Sequence, residues 1–244
     1  MLEFQYLKHQ EGVRTINTTV SKVVSVEEAI SHVHDGDTVL VNGFYGYGSG
    51  SNLMKELITQ GQRDLTIVAN DGGMHGYGIG PVVDNGQARK VLCTWCGSTP
   101  SFSQLSADGS IELELCPQGS FAERIRAGGF GLGGILTPTG LGTVVEENWG
   151  ERVHLNGKDW LYQAPIRGNV TLLEAWRADE SGNLIFKHTQ RNFATAMAYA
   201  SDLVIASVVN PIEPAGSFDP DEIMVPGIVV DMLVQQKGEN RDDC

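Results

Sequence analysis

Apolar and polar positions along this chain fall into blocks that switch between two periods. Val26, Ala29, Ile30 and Val33 recur at helical spacing behind residues 25–28 (SVEE), a capping box that predicts a helix start. Asp35, Gly36 and Asp37 turn the chain into an apolar run at 38–41, read as a strand. The glycine-rich segment 42–50 (NGFYGYGSG) follows, and then a helix with Ser51 or Asn52 as its cap and Gly61 as its stop. Residues 65–69 and 91–95 have the length of buried strands, and 111–115 (IELEL) alternates like a strand with one wet face. A second capping box, 120–123 (SFAE), opens a helix that Gly128 ends. The Asn156–Gly157 pair inside VHLNGK marks a hairpin. Segments 170–176 and 183–186 read as strands around a turn at 179–182, 192–200 as a helix, 203–209 as a buried strand and 227–234 as the last strand.

Strands that are followed by helices imply an α/β fold: a single open, mostly parallel sheet with helices on both faces. No repeat or linker splits the pattern, so one domain is expected over residues 21–236. The polar, unpatterned stretches 1–20 and 237–244 are expected to be a loose extension and tail.

Composition narrows the function classes. In 244 residues, 17 Lys+Arg face 30 Asp+Glu, a formal charge of −13 that argues against a nucleic-acid surface. Any polyanionic ligand must find positive potential locally, from helix N-termini, backbone amides or a partner chain. No apolar run approaches the roughly 20 residues that span a bilayer, so no membrane is implied. The first residues lack the apolar core of a signal peptide, and a cytoplasmic protein is expected.

The four cysteines suit that compartment. Cys93 and Cys96 form a CxxC pair at the end of an expected strand, not at a helix start where a redox pair would sit. No second pair completes a zinc site, so no metal is expected and buried small thiols are the default. Cys244 falls on the expected tail. His32, His34, His75, His154 and His188 show no ligand spacing, and a structural or surface role is the default for each.

Two glycine-rich segments carry the chemistry. In an open parallel sheet ligands bind beyond the carboxyl ends of strands, where the 42–50 loop lies. Gly43, Gly46, Gly48 and Gly50 lack Cβ, so their amides can approach a phosphate or an amide-bearing carrier. A flexible surface loop without ligand is the alternative. The second segment packs five glycines into residues 128–134, as if wrapping closely around something. Gly129, Gly131 and Gly134 spell GxGxxG, but the string follows a helix and runs into ILTPTG, the wrong context for a dinucleotide site. No Gly-Lys-Ser/Thr marks a nucleoside-triphosphate loop.

Together these blocks resemble the alpha chains of family I coenzyme A-transferases, those moving CoA between acetate, acetoacetate and other short-chain acyl groups. The matching text is DGDTVLVNGFYGYG from Asp35, DLTIVAND from Asp64, PQGSFAERIRAGG from Pro117 and TPTGLGTVVEE from Thr137. It continues with GNL from Gly182, RNF from Arg191, ASDL from Ala200 and DEIMVPG from Asp221, covering roughly 22–235. The resemblance implies a CoA-binding role for Asn42, Gly43, Phe44, Tyr45, Gly46, Tyr47 and Gly48. The chain departs from the family pattern at Asn42, where glycine is expected, and at Gly50, where proline is. Asn70 and Gln118 look similar to active-site positions, with loop-stabilising amides as the alternative. Trp95, with Ser98 and Thr99, replaces the usual residues where acyl specificity could be set. The nucleophilic glutamate is expected on a beta subunit, within an α2β2 or similar heteromer. The resemblance places no catalytic residue here, and makes CoA a substrate rather than a bound cofactor.

EENWG, from Glu146, looks superficially like the catalytic turn, but it sits where alpha chains carry an acidic pair before a hairpin; Glu147 is expected on a solvated turn. Arg124 and Arg126 could offset phosphates, or serve only the helix surface. Two other classes stay open: a non-catalytic scaffold or binding subunit, and a sugar-phosphate isomerase of similar α/β architecture, for which an evident base set is missing here.

Overall fold

The computed structural model describes residues 21–74 and 76–236, so the expected loose ends, Cys244 and His75 lie outside the described residues. Its elements run α1 (Val26–Ile30), β1 (Thr38–Val41), α2 (Ser51–Gln60), β2 (Leu65–Ala69), α3 (Gly80–Asp84), β3 (Ala88–Cys93), α4 (Pro100–Ala107), β4 (Glu112–Leu115) and α5 (Gln118–Gly129). An excursion follows, β5 (Ile135–Thr137), α6 (Val144–Trp149), β6 (Glu151–Leu155) and β7 (Lys158–Gln163). The chain then returns through β8 (Gly168–Ala175), β9 (Arg177–Ala178), β10 (Leu184–Ile185), α7 (Ala194–Met197), β11 (Ser201–Val208) and β12 (Met232–Gln235).

Seven strands form one parallel sheet in the order β12-β11-β8-β1-β2-β3-β4. The chain starts at the centre, steps outward through β2, β3 and β4, then returns to the other side of β1 and steps outward again. The strand order therefore reverses between β1 and β8, and such a reversal opens a crevice at the carboxyl ends. Successive strand residues enter opposite cores. Val39, Val41, Ile67 and Leu172 pack with α1 to α4, while Leu40, Val68 and Leu173 pack with α5 and α7. Burial on both faces explains why these strands read as continuous apolar runs. The parallel sheet and its two helical layers match expectation; a three-stranded antiparallel sheet, β5-β7-β6, and a β9-β10 ribbon stand beside it.

Several boundaries differ from the sequence reading, each for a local reason. Ser25 caps α1 through Glu28 N (3.1 Å), but the helix stops at Ile30. Gly50, at φ 68°, precedes α2 in place of a Ser51 or Asn52 cap, while Gly61, at φ 75°, stops that helix as expected. Helix α5 begins at Gln118 behind Pro117, two residues before the expected capping box, and Ser120 lies within it. Residues 188–191 form a 3-10 turn and α7 is one turn long. Gly227–Val229 is another 3-10 turn, at whose first residue a side chain would collide with the Ser181 carbonyl, and the last strand starts at Met232.

The IELEL strand inverts at its end: Glu114 is buried and Leu115 exposed. Arg124 of α5 causes this, placing Nη1 2.8 Å from Glu114 Oε1 and donating from Nε to the Ala164 carbonyl (2.9 Å). Lys90 reaches the same carboxylate at 2.9 Å. Arg124 thus belongs to a buried ion pair between edge strand and helix, rather than to a helix surface. Arg126 takes the surface role, bonded to Glu123 through Nε (2.7 Å). The two ends of the five-glycine run face the chain, while residues 130–133 are exposed. Side chains at Gly128, Gly129 and Gly134 would collide with the Ile166 carbonyl, Tyr199 and the Tyr162 ring. At those three positions the segment packs on the chain itself.

The expected hairpin is present, with Asn156 and Gly157 at φ 55° and 74° between β6 and β7. In it His154 Nδ1 lies 2.8 Å from Asp159 Oδ1, a surface pair. Glu146 and Glu147 fall in the short helix α6, where the sequence suggested a turn. Glu147 is exposed, while Glu146 receives Arg152 at 2.6 and 2.8 Å and the Gly142 amide at 2.6 Å. Those bonds, the guanidinium's foremost, hold the Glu146 carboxyl down to about 2.

The two ion pairs differ in what their loss should cost. Replacing Arg124 by Met leaves Glu114 buried with Lys90 alone, and a loss of about 3 kcal/mol in urea unfolding is expected. Glu146 has a depressed folded-state pKa, so its contribution is present above the ordinary 4.5 and lost as pH falls toward about 2. The unfolding midpoints of wild type and Glu146→Gln should differ by a constant amount above that ordinary value and converge near the lower one.

Candidate functional site

The carboxyl ends of β1, β2 and β3 and the start of α5 after β4 lie along one edge, and the candidate residues lie there too. The loop after β1 is a tight two-residue turn: Phe44 and Tyr47 exchange backbone bonds (2.9 and 3.0 Å), with Tyr45 at φ 52° and Gly46 at φ 87°. Gly43, Gly48 and Gly50 also take positive φ. A Cβ at Gly46 would lie 2.8 Å from Tyr77 Cβ, and one at Gly48 3.0 Å from Gln190 Cα, so neighbouring loops press on both sides. This is not a free surface loop.

Three side chains hold it. Asn42, buried, donates from Nδ2 to the Gln190 carbonyl (2.7 Å) and accepts from Phe193 N (3.1 Å). Asn192 returns the contact, donating to the Gly43 carbonyl at 2.6 Å. Asp71, also buried, accepts from Tyr45 N (3.0 and 3.1 Å), Gly73 N (2.7 Å) and Asn70 Nδ2 (2.7 Å). The carboxylate thus fastens the turn tip to the end of β2.

The same network takes in the other candidates. Gln118, exposed at the first turn of α5, donates to Asn70 Oδ1 at 2.7 Å, and Thr94 Oγ1 donates to the Asn70 carbonyl at 2.8 Å. Asn70 and Gln118 are therefore in direct contact. Asn70 is committed on both sides and acts as a brace; Gln118 stands at the solvent edge with its amide oriented by that brace. Trp95 bridges Asp71 across β2 and β3, and its exposed ring lies against Gly97. Phe44, Tyr47, Met74, Tyr77 and Trp95 leave an exposed apolar rim on these loops. Sequence reasoning missed Asp71 and Asn192 as fasteners, although each neighbours a residue it quoted (the AND and RNF blocks).

Of the cysteine pair, Cys93 is buried and Cys96 half-buried. Burial pushes the Cys93 thiol up to about 12, and Cys116 is raised by burial as well. Among the described residues no group of three or more His, Cys, Asp or Glu is placed to hold a metal ion, and no helix is long and apolar enough to cross a membrane.

Similarity to known proteins meets this geometry. Residues 23–236 match the Coenzyme A transferase family. The chain is 40% identical over 214 residues to the alpha chain of acetate CoA-transferase from Escherichia coli K12, covering 88% of this chain and 96% of that one. It is 35% identical over 216 residues to the alpha chain of the acetoacetyl-CoA:acetate/butyrate CoA transferase of Clostridium acetobutylicum, covering 88% and 98%. Its fold superposes with a TM-score of 0.80, at 23% identity, on an acyl-CoA transferase of E. coli O157:H7 in a thioester complex with CoA. That match covers 90% of this chain and 48% of the other, so the chain spans about half the length of that solved protein.

Removing one fastener tests the site. Asn42→Ala leaves the Phe193 amide and two carbonyls without their partner, at a cost of about 1–3 kcal/mol. Faster amide hydrogen exchange should appear in residues 43–49 and 188–193 together, while β2 and β3 keep their protection. Exchange unchanged in either segment would show that Asn42 does not couple them.

Proposed function

The chain belongs to the coenzyme A transferase family, and from that premise we propose that it is the non-nucleophilic half of a two-chain enzyme. That enzyme moves CoA between a short-chain acyl-CoA and a free carboxylate such as acetate or acetoacetate. The reading rests on the fastened turn at residues 43–48 beside the Asn70–Gln118 pair, all at the carboxyl edge of the sheet. The relatives at 40% and 35% identity are both named as alpha chains, which supports a partner chain.

In this reading a glutamate carboxylate of the partner attacks the thioester carbonyl, the C–S bond breaks, and an acyl-glutamyl anhydride and CoA thiolate result. The thiolate attacks the glutamyl carbonyl, giving glutamyl-CoA thioester and releasing the first acid as its carboxylate. The incoming carboxylate repeats both steps in reverse, so the kinetics are ping-pong. This chain contributes the fastened turn at residues 43–48 as a wall for the carrier, and the Gln118 amide for a developing oxyanion. Its carboxylates at this edge are otherwise engaged: Asp71 by three partners, Glu174 by Gln190 and Gln236 at 3.1 and 2.8 Å.

Reconstitution is the test. Chain plus partner should exchange acyl-CoA with acetate, and intact-mass analysis after acyl-CoA treatment should place the covalent adduct on the partner. An adduct on an acidic residue of this chain would sink the division of labour. Gln118→Ala should lower turnover about tenfold or more with assembly intact; unchanged turnover would favour a scaffold.

A further inference from the structure

A pocket lies on the far side of the same loop, where the strand order reverses. Tyr47 and Gly48 form one wall, Glu174 and Trp176 at the end of β8 another, and Lys187 and Gln190 the third. The Lys187 ammonium sits 4.1 Å from the centre of the Trp176 ring, half-buried. Stacking on an indole holds a flexible lysine in one place without neutralising it.

Among the described residues its ammonium is not ion-paired, in contrast to several other cations of the chain. Lys90, Arg124, Arg126, Arg152, Arg167 and Arg177 each pair with a carboxylate. Lys187 makes no ion pair among the described residues, in a chain of net charge −13. Glu174, the carboxylate of this pocket, is occupied by N–H donors from Gln190 and Gln236. The turn bearing Lys187 is also tightly held: Lys187 N donates to Gln190 Oε1 at 3.1 Å, and Asn42 clamps the Gln190 carbonyl at 2.7 Å. A ligand lying along the loop therefore meets a fixed cation in a concave site.

We propose that Lys187, positioned by Trp176, is an anion-binding residue that receives a carboxylate or phosphate group of the bound substrates. This rests on the transferase reading for the identity of those substrates. The shared chemistry has two sources, the phosphates of CoA and the carboxylate of the acid.

The test is equilibrium binding to the assembled two-chain complex, measured by titration calorimetry with CoA, 3′-dephospho-CoA, succinate and acetate. Lys187→Gln should weaken at least one ligand about tenfold, and Lys187→Arg should recover most of that loss. Trp176→Leu, which removes the platform but keeps the charge, should weaken the same ligand by about threefold. A loss for CoA but not dephospho-CoA assigns the 3′-phosphate, and an equal loss for both assigns the pyrophosphate. A loss for succinate but not acetate assigns a distal carboxylate, and one for both acids the reacting carboxylate. Dissociation constants unchanged within about twofold for all four ligands would overturn the proposal. Lys187-dependent binding without CoA transfer would instead sink the transferase reading and leave the pocket standing.

Discussion

The Asp71 carboxylate holds the site together. It sits where β2 ends and draws in the Tyr45 amide, the Gly73 amide and the Asn70 side chain. A buried carboxylate is costly unless its lone pairs are filled, and hydrogen bonds to an ionised acceptor are among the stronger ones in proteins. The loop arrangement is thereby fixed twice over: Asp71 needs those donors, and Tyr45 needs a reason to hold φ 52°. A non-glycine residue in that region costs of order 1 kcal/mol or more and persists only where its surroundings over-determine it.

The two glycine-rich segments show how similar composition serves different ends. At 43–48 the missing side chains permit positive φ and let neighbouring loops press on the turn from both sides. At 128–134 the missing side chains let α5 meet the chain before β8 and the Tyr199 backbone at van der Waals distance. Sequence alone weighs the segments equally, because glycine reports permissiveness and not what approaches. Only the topology, which puts one at the carboxyl edge and the other against the connections that lead into β8 and β11, separates them.

That limit marks how much was legible. Strands β1, β2 and β11 were plain because burial on both faces demands uninterrupted apolar runs. Helices α3, α4 and α6 left little trace: each is eight residues or shorter, too short for periodicity to rise above composition. The inversion of IELEL was invisible because Arg124, ten residues further on, decides which carboxylate is buried. Asn70 and Gln118, both singled out by resemblance, are in direct contact although 48 residues separate them in sequence, a contact the sequence did not suggest. Asp71 went unremarked beside Asn70 because a carboxylate in a turn looks solvated until its three partners are known.

The Gln118 amide at this edge fits the proposed division of labour. A carboxylate nucleophile on a partner must stay ionised yet reactive, and a cation beside it would stabilise the ground state as well as the transition state. Amide donors such as Gln118 favour a developing oxyanion without adding that net charge. Fixed positive charge is then more useful away from the reacting carbon, where it binds substrate equally before and during the reaction. Lys187, across the loop from the Asp71 network, occupies such a place, with Gly48 and Gln190 in close backbone contact between them. In the proposed reading the loop separates the Gln118 side from the Lys187 side, and Asn42, bonded to Gly48 and Gln190 alike, keeps the two in register.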